Sequence, residues 1–114
     1  MKRISTHVLD VAQGKPAKGV AVSLDRREGS GNWVTVGSSH TDSDGRCGQL
    51  LPEGDALRAG LYRLSFDTAS YHHTENTEGL YPVVEITFHV REGESQFHIP
   101  LLLSPYGYTT YRGS

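Results

Sequence analysis

The stretch VEITFHV at residues 84–90 places an apolar side chain at every second position and a polar side chain between each pair. A period of two is typical of a β-strand that buries one face. The same alternation runs through the segments 20–24, 34–36, 62–66 and 97–103, which are separated by connections rich in glycine. Many short strands with frequent turns predict an all-β chain folded as a β-sandwich.

The connections between these strands fit the same architecture. The segment 28–32, Glu-Gly-Ser-Gly-Asn, predicts a hairpin loop, and the segment 42–45, Asp-Ser-Asp-Gly, predicts a tight turn. The segment 67–70 offers side chains that cap helices, so we expect one short helix over residues 71–76. Gly79 and Pro82 end this helix region.

The size and charge of the chain exclude several classes of protein. Its 114 residues predict a single domain over positions 1–114, and 11 basic against 13 acidic side chains give a formal net charge of -2. This balance provides no basic field for nucleic acid, and no apolar run reaches the roughly 20 residues that span a bilayer. No apolar stretch follows Lys2 and Arg3, so we expect a cytoplasmic protein, with a trimmed periplasmic form as the alternative. The single cysteine, Cys47, rules out an intrachain disulfide.

Two histidines lie on predicted strands. In the segment 4–10 the alternation puts His7 on the face opposite Ile4 and Val8, and in the segment 97–103 it puts His98 opposite the core. A rigid strand is a good platform for a base, and neutral imidazole accepts a proton near pH 7. Taken alone, either histidine is better interpreted as a solvated side chain. Arg46 follows the turn, where an arginine is usually a solvated charge. Its permanent charge could also polarise a carbonyl group or hold a neighbouring imidazole neutral.

The last residues of the sequence are unusually rich in aromatic side chains. Tyr106, Tyr108 and Tyr111 precede Arg112, Gly113 and Ser114. Chain ends normally carry small polar residues, so this pattern predicts a final strand that packs against the domain. A short tip of arginine and serine on such a strand would reach into a cavity.

The sequence contains no motif for a metal or an organic cofactor. Six histidines are present, but His72 and His73 are adjacent and no His-x-x-x-His or Cys-x-x-Cys spacing exists. A Gly-x-Ser-x-Gly elbow and a glycine-rich phosphate loop are also absent from the sequence. Cys47 is better interpreted as a small buried residue than as a nucleophile. We therefore expect no cofactor, and water activated by side chains.

Three stretches together resemble a known family. His7 to Asp10 followed by Gly14 and Pro16, the segment 41–46, and the segment 98–114 ending in Tyr-Arg-Gly-Ser resemble the signatures of transthyretin-related proteins. The resemblance spans essentially the whole chain. It implies a transthyretin-like β-sandwich of two antiparallel sheets with one short helix, and a homotetramer built from two dimers with sites in the cleft between them.

Within this family the residues match the hydrolase pattern. His7, Arg46, His98 and the final tetrapeptide imply hydrolysis of 5-hydroxyisourate in urate breakdown, without a metal or an organic cofactor. The product is the ureidoimidazoline carboxylate, 2-oxo-4-hydroxy-4-carboxy-5-ureidoimidazoline. We assign His7, Arg46 and His98 to catalysis. Substrate binding is assigned to the terminal residues Tyr111, Arg112, Gly113 and Ser114.

Three other functions compete with this hypothesis. The strongest is a carrier of small aromatic ligands with the same fold and no enzymatic activity, which would require an apolar channel. The second is an immunoglobulin-like adhesion domain, in which the terminal residues would have no functional role. A metallohydrolase would lose activity with a chelator.

Overall fold

A computed structural model describes residues 2–114 of the chain. In this part of the chain there are nine strands and one helix. In chain order they are β1 (Arg3–Asp10), β2 (Lys15–Pro16), β3 (Ala21–Arg27), β4 (Trp33–His40), β5 (Arg46–Cys47), β6 (Gly60–Phe66), α1 (Thr68–Thr74), β7 (Val84–Val90), β8 (Gln96–Ser104) and β9 (Gly107–Thr110). No helix in residues 2–114 is long and apolar enough to cross a membrane.

The strands form two sheets packed as a sandwich, which confirms the predicted fold class. The first sheet has the order β2-β1-β8-β9, with β5 also paired to β1, and the second has the order β4-β3-β6-β7. One pairing differs from the expected pattern, because β1 and β8 run parallel while every other pair among the described strands is antiparallel. This parallel pair occupies the middle of the first sheet.

The core lies between the sheets and follows the alternation of the sequence. Ile4, Val8, Leu24, Leu64 and Leu101 are fully buried. Each buried methylene group contributes about 0.8 kcal/mol of hydrophobic stabilisation, so these strands are fixed in register by the side chains that they bury. The opposite faces of the strands remain available for polar groups.

The helix begins earlier in the chain than predicted. Asp67 is its N-cap, and the Asp67 carboxylate accepts a hydrogen bond from the backbone N–H of Ser70 at 3.1 Å. The segment Thr68–Ser70 is therefore helical rather than only a cap. The helix stops at Thr74, since Asn76 has a left-handed backbone with φ of 54°.

Candidate active site

The site begins with His98 in the middle of the first sheet. The parallel pairing of β1 and β8 places Ser5 opposite His98, and Ser5 Oγ and His98 Nδ1 are joined by a hydrogen bond of 2.8 Å. The neighbours Ile4 and Phe97 are buried in the core, so the alternation directs Ser5 and His98 to the other face. The imidazole is thereby fixed at one nitrogen.

The surroundings of His98 favour its neutral form. Burial lowers the pKa of His98 below its ordinary value, and the positive charges of Arg46 and Arg3, and of His7 when it is protonated, act in the same direction. Both effects disfavour a charged imidazolium. His98 is therefore able to accept a proton at neutral pH.

The turn that precedes β5 brings Arg46 and His7 together. β5 pairs antiparallel to β1, with Arg46 opposite His7. His7 Nε2 donates a hydrogen bond to the backbone carbonyl of Asp44 at 2.7 Å. Gly45 has a φ of 78° and packs so closely on the Val8 carbonyl that a side chain at position 45 would collide with it. The turn is therefore held tightly against β1.

The C-terminal segment folds back over His98. The backbone N–H of Gly113 donates to the His98 carbonyl at 2.7 Å, in an isolated antiparallel bridge between the two residues. A Cβ atom at position 113 would lie 2.6 Å from the His98 ring carbon Cδ2. Glycine is thus required at this position, because any side chain would displace the imidazole.

Arg112 is held beside the same site by three contacts. Its guanidinium donates to the Glu94 carboxylate and to the Gln96 carbonyl, each at 3.0 Å. The guanidinium carbon lies 4.4 Å from the centre of the Phe97 ring. The bond from Arg112 lowers the pKa of Glu94, so the pair stays ionised at neutral pH. Arg112 is therefore fixed in position while remaining about half exposed.

Arg46, His98 and Arg112 line one cavity of about 540 Å³. Its walls carry three guanidinium groups, an imidazole and hydroxyl groups, so the cavity suits a small ligand rich in carbonyl oxygens. The lining comprises Arg3, Ser5, Thr6, Arg46, Cys47, Gly48, Gln96, Phe97, His98, Arg112, Gly113 and Ser114. In residues 2–114 no group of three or more His, Cys, Asp and Glu side chains is arranged to hold a metal ion.

The structure brings most of the predicted site residues into this cavity. Arg46, His98 and the segment 112–114 line it. His7 is not among its lining residues, but its charge acts on His98. Tyr111 lies outside this cavity, in a second, smaller one beside Ile86 and Phe88.

Sequence reasoning missed Ser5 and Arg3 as parts of the site. Both lie on the face of β1 that also carries His7, so the alternation that selected His7 contained the signal for them. Cys47 also lines the cavity, but its side chain is buried and burial raises the pKa of its thiol. The Cys47 thiol therefore stays protonated at neutral pH, and the residue only lines the cavity.

Comparison with known proteins places the chain in a family. Residues 4–113 match the HIUase/Transthyretin family. The sequence is 45% identical to 5-hydroxyisourate hydrolase of Mus musculus, over 97% of this chain and 94% of that protein. The fold is similar to that of Klebsiella pneumoniae 5-hydroxyisourate hydrolase, with a TM-score of 0.85, 38% identity and complete coverage of both chains. It is also similar to sea bream transthyretin in complex with thyroxine, with a TM-score of 0.90, 31% identity, and coverage of 97% of this chain and 94% of that one. The chain belongs to the HIUase/Transthyretin family.

Proposed function

We propose that this chain is a hydrolase that converts 5-hydroxyisourate to 2-oxo-4-hydroxy-4-carboxy-5-ureidoimidazoline, and that residues 1–114 form its single domain. The observation that carries the proposal is one polar cavity that gathers Arg46, His98 and the Arg112–Ser114 segment. The 45% identity to the mouse hydrolase over nearly the whole chain supports the same substrate.

The reaction requires three actions from the side chains. A water molecule loses a proton and attacks a ring carbonyl carbon, the resulting oxyanion is stabilised, and the ring nitrogen takes a proton as the C–N bond breaks. His98 and His7 transfer the protons, one of them as the base. Arg46 favours the neutral form of His98 and faces the developing negative charge.

The terminal segment binds the substrate. Arg112 is positioned by Glu94 and Phe97, and its exposed face offers donors to the carbonyl oxygens of the substrate. Gly113 allows the segment to lie directly on the imidazole, and Ser114, which follows it, lines the cavity. Tyr111 completes the site in this proposal from its position beside the second cavity.

The charge of the cavity favours a hydrolase over a carrier of apolar ligands. The guanidinium groups of Arg3, Arg46 and Arg112 line its wall. The apolar rings of an aromatic hormone would desolvate these charges without pairing them, which is costly. A thyroxine-binding assay on this chain therefore should give no saturable binding, whereas a freshly prepared solution of 5-hydroxyisourate should be consumed rapidly.

The functional proposal also includes a homotetramer with sites at the interface between dimers. Apolar side chains remain exposed on one surface of the single chain, including Leu80 at 60% and Tyr106 at 70%. β7 and β9 are the last strands of their sheets, so each leaves backbone groups free to pair with another chain. Both features support assembly of the chains through the surface that carries Leu80 and Tyr106 and through the edge strands β7 and β9.

The sharpest test replaces the central imidazole. His98→Ala should retain the fold and lose about 10²–10⁴-fold in turnover, because a positioned proton-transfer group typically contributes that much. The rate is followed by absorbance on fresh substrate, with spontaneous decay subtracted. His73→Ala is the matched control, since His73 is exposed on α1. Equal rates for the two variants would refute the proposal.

A further inference from the structure

The turn between β4 and β5 is built by the side chain of Asp42. Its Oδ1 accepts hydrogen bonds from the backbone N–H of Asp44 at 2.9 Å and from that of Arg46 at 3.0 Å. The Asp42 backbone adds two more bonds, because its N–H donates to the Arg46 carbonyl and its carbonyl accepts from Gly45. One carboxylate oxygen thus fixes the residues on both sides of Gly45.

This turn is fastened to the strand that carries His7. Val8 directly follows His7 in the chain, and its backbone N–H donates a hydrogen bond to the Gly45 carbonyl at 2.7 Å. The Asp44 carbonyl then lies 2.7 Å from His7 Nε2. The carbonyl that meets the imidazole is therefore positioned by Asp42 rather than by the exposed loop alone.

A carbonyl oxygen has no proton to give, so the nitrogen that bonds to it must carry the hydrogen. His7 Nε2 is consequently protonated whenever this contact is made. A neutral His7 then has its lone pair on Nδ1. Which nitrogen is basic decides the direction from which His7 takes a proton.

We infer, resting on the hydrolase function proposed above, that Asp42 is a positioning residue for His7: through the Asp44 carbonyl it holds the proton on Nε2 and leaves Nδ1 as the basic nitrogen. The same carboxylate fixes the backbone of Arg46, so the imidazole and the guanidinium are positioned by one turn. Asp42 does not touch the substrate in this arrangement.

The experiment compares Asp42→Ala with Asp42→Asn. The alanine variant loses the oxygen that accepts from Asp44 and Arg46, whereas the asparagine variant keeps an oxygen at the same place without the charge. We expect Asp42→Ala to lose about ten-fold to a hundred-fold in kcat with a smaller change in KM, because small displacements of catalytic groups cost that much. Asp42→Asn should keep most of the wild-type kcat. Ser43→Ala is a control on the same turn, since the Ser43 side chain makes none of these bonds.

A second measurement reads the tautomer directly. Nitrogen NMR of protein labelled at histidine distinguishes a protonated ring nitrogen from one with a lone pair, and the His7 signals are assigned by their loss in His7→Gln. Neutral His7 should carry its proton on Nε2 in the wild type and in Asp42→Asn, and should become a mixture of tautomers in Asp42→Ala.

The outcomes separate the two proposals. Two results would overturn the role of Asp42 while the wild-type protein still turns over substrate. The first is a wild-type His7 protonated on Nδ1, and the second is the same His7 tautomer in all variants. Either result would leave the hydrolase function standing. A wild-type protein without turnover would overturn the hydrolase function and with it this role. The wild-type spectrum decides the tautomer even where Asp42→Ala does not fold.

Discussion

At the scale of single residues, His98 shows how neighbours prepare a proton acceptor. Partial burial lowers its pKa, the nearby charges of Arg46 and Arg3 act in the same direction, and Ser5 fixes one of its nitrogens. The same residues that lower the pKa belong to the cavity wall or lie beside it. In the proposed mechanism, proton transfer by His98 therefore depends on charges that must stay in place around it.

Replacement of Arg46 should shift the pH at which kcat/KM falls on the acid side of its pH profile (the acid limb). A positive charge beside His98 opposes its protonation, so its removal in Arg46→Gln raises the His98 pKa toward its ordinary value. The pH at which kcat/KM falls on the acid side should then shift upward. Arg46→Lys keeps the charge and should keep the position of the limb. An unchanged limb in Arg46→Gln would show that another group controls it.

The residues of the site could be predicted to different extents. The alternation singled out His7 and His98, and a recognisable turn singled out Arg46, but only the family resemblance assigned these residues to catalysis. Ser5 was not recognised as part of the site. Its partner lies 93 positions away, and local periodicity contains no information on that pairing.

At the scale of elements, α1 is fastened to β1 by a buried carboxylate. The Tyr71 hydroxyl donates to Asp10 Oδ2 at 2.6 Å, and Gln13 donates to the same carboxylate from its backbone and its side chain. Burial raises the pKa of Asp10, but these hydrogen bonds outweigh it, and the pKa ends below its ordinary value. The ionised form of Asp10 is thus favoured in the folded chain.

Tyr71→Phe should destabilise the protein in a way that depends on pH. Because the Asp10 pKa is lowered on folding, this stabilisation is complete above the unfolded pKa of about 3.9 and is lost as the pH falls through the folded pKa. Loss of one hydrogen bond to a charged group should cost about 1.5–3 kcal/mol at pH 7 and less near pH 3. Urea unfolding at both pH values measures this. An equal cost for Tyr71→Phe at both pH values would contradict the charge argument.

Long strands were easier to predict than short ones. β1, β3, β6, β7 and β8 each contain at least seven residues and show clear alternation. β2 and β5 contain two residues each, which is too short to show alternation of apolar and polar residues. They are defined as strands only by their pairing with β1. The presence of α1 was predicted, but not its bounds: it starts before residue 71, because Asp67 was one of several residues able to cap it, and it ends before residue 76.

At the scale of the whole molecule, the single chain leaves one end of the sandwich incompletely covered. Ile86 and Phe88 of β7 are only partly buried, and Tyr111 stands exposed beside them. Tyr81 and Tyr108 contact each other edge to face with ring centres 5.4 Å apart. An apolar surface of this kind is usually covered by another chain.

The assembled protein should have four times the 12.5 kDa mass of the chain. Light scattering or sedimentation of the purified protein measures this. Tyr106→Glu places a charge on the exposed apolar surface and should yield smaller species, because burial of an unpaired charge is unfavourable. Val34→Glu is the control, since Val34 is exposed on β4 at the other edge of the second sheet. A tetramer unaffected by Tyr106→Glu would mean that the chains meet elsewhere.

The parallel pairing of β1 with β8 has a consequence for the order in which the molecule forms. The hairpin of β3 and β4 joins neighbouring segments, whereas β1 meets β8 only after almost the entire intervening chain has been looped out. Closing a long loop carries a larger entropic cost, and pairings between distant segments form slowly. We therefore expect a refolding chain to acquire its second sheet before Ser5 reaches His98, so that a partly folded molecule has much of its backbone structure and no competent cavity.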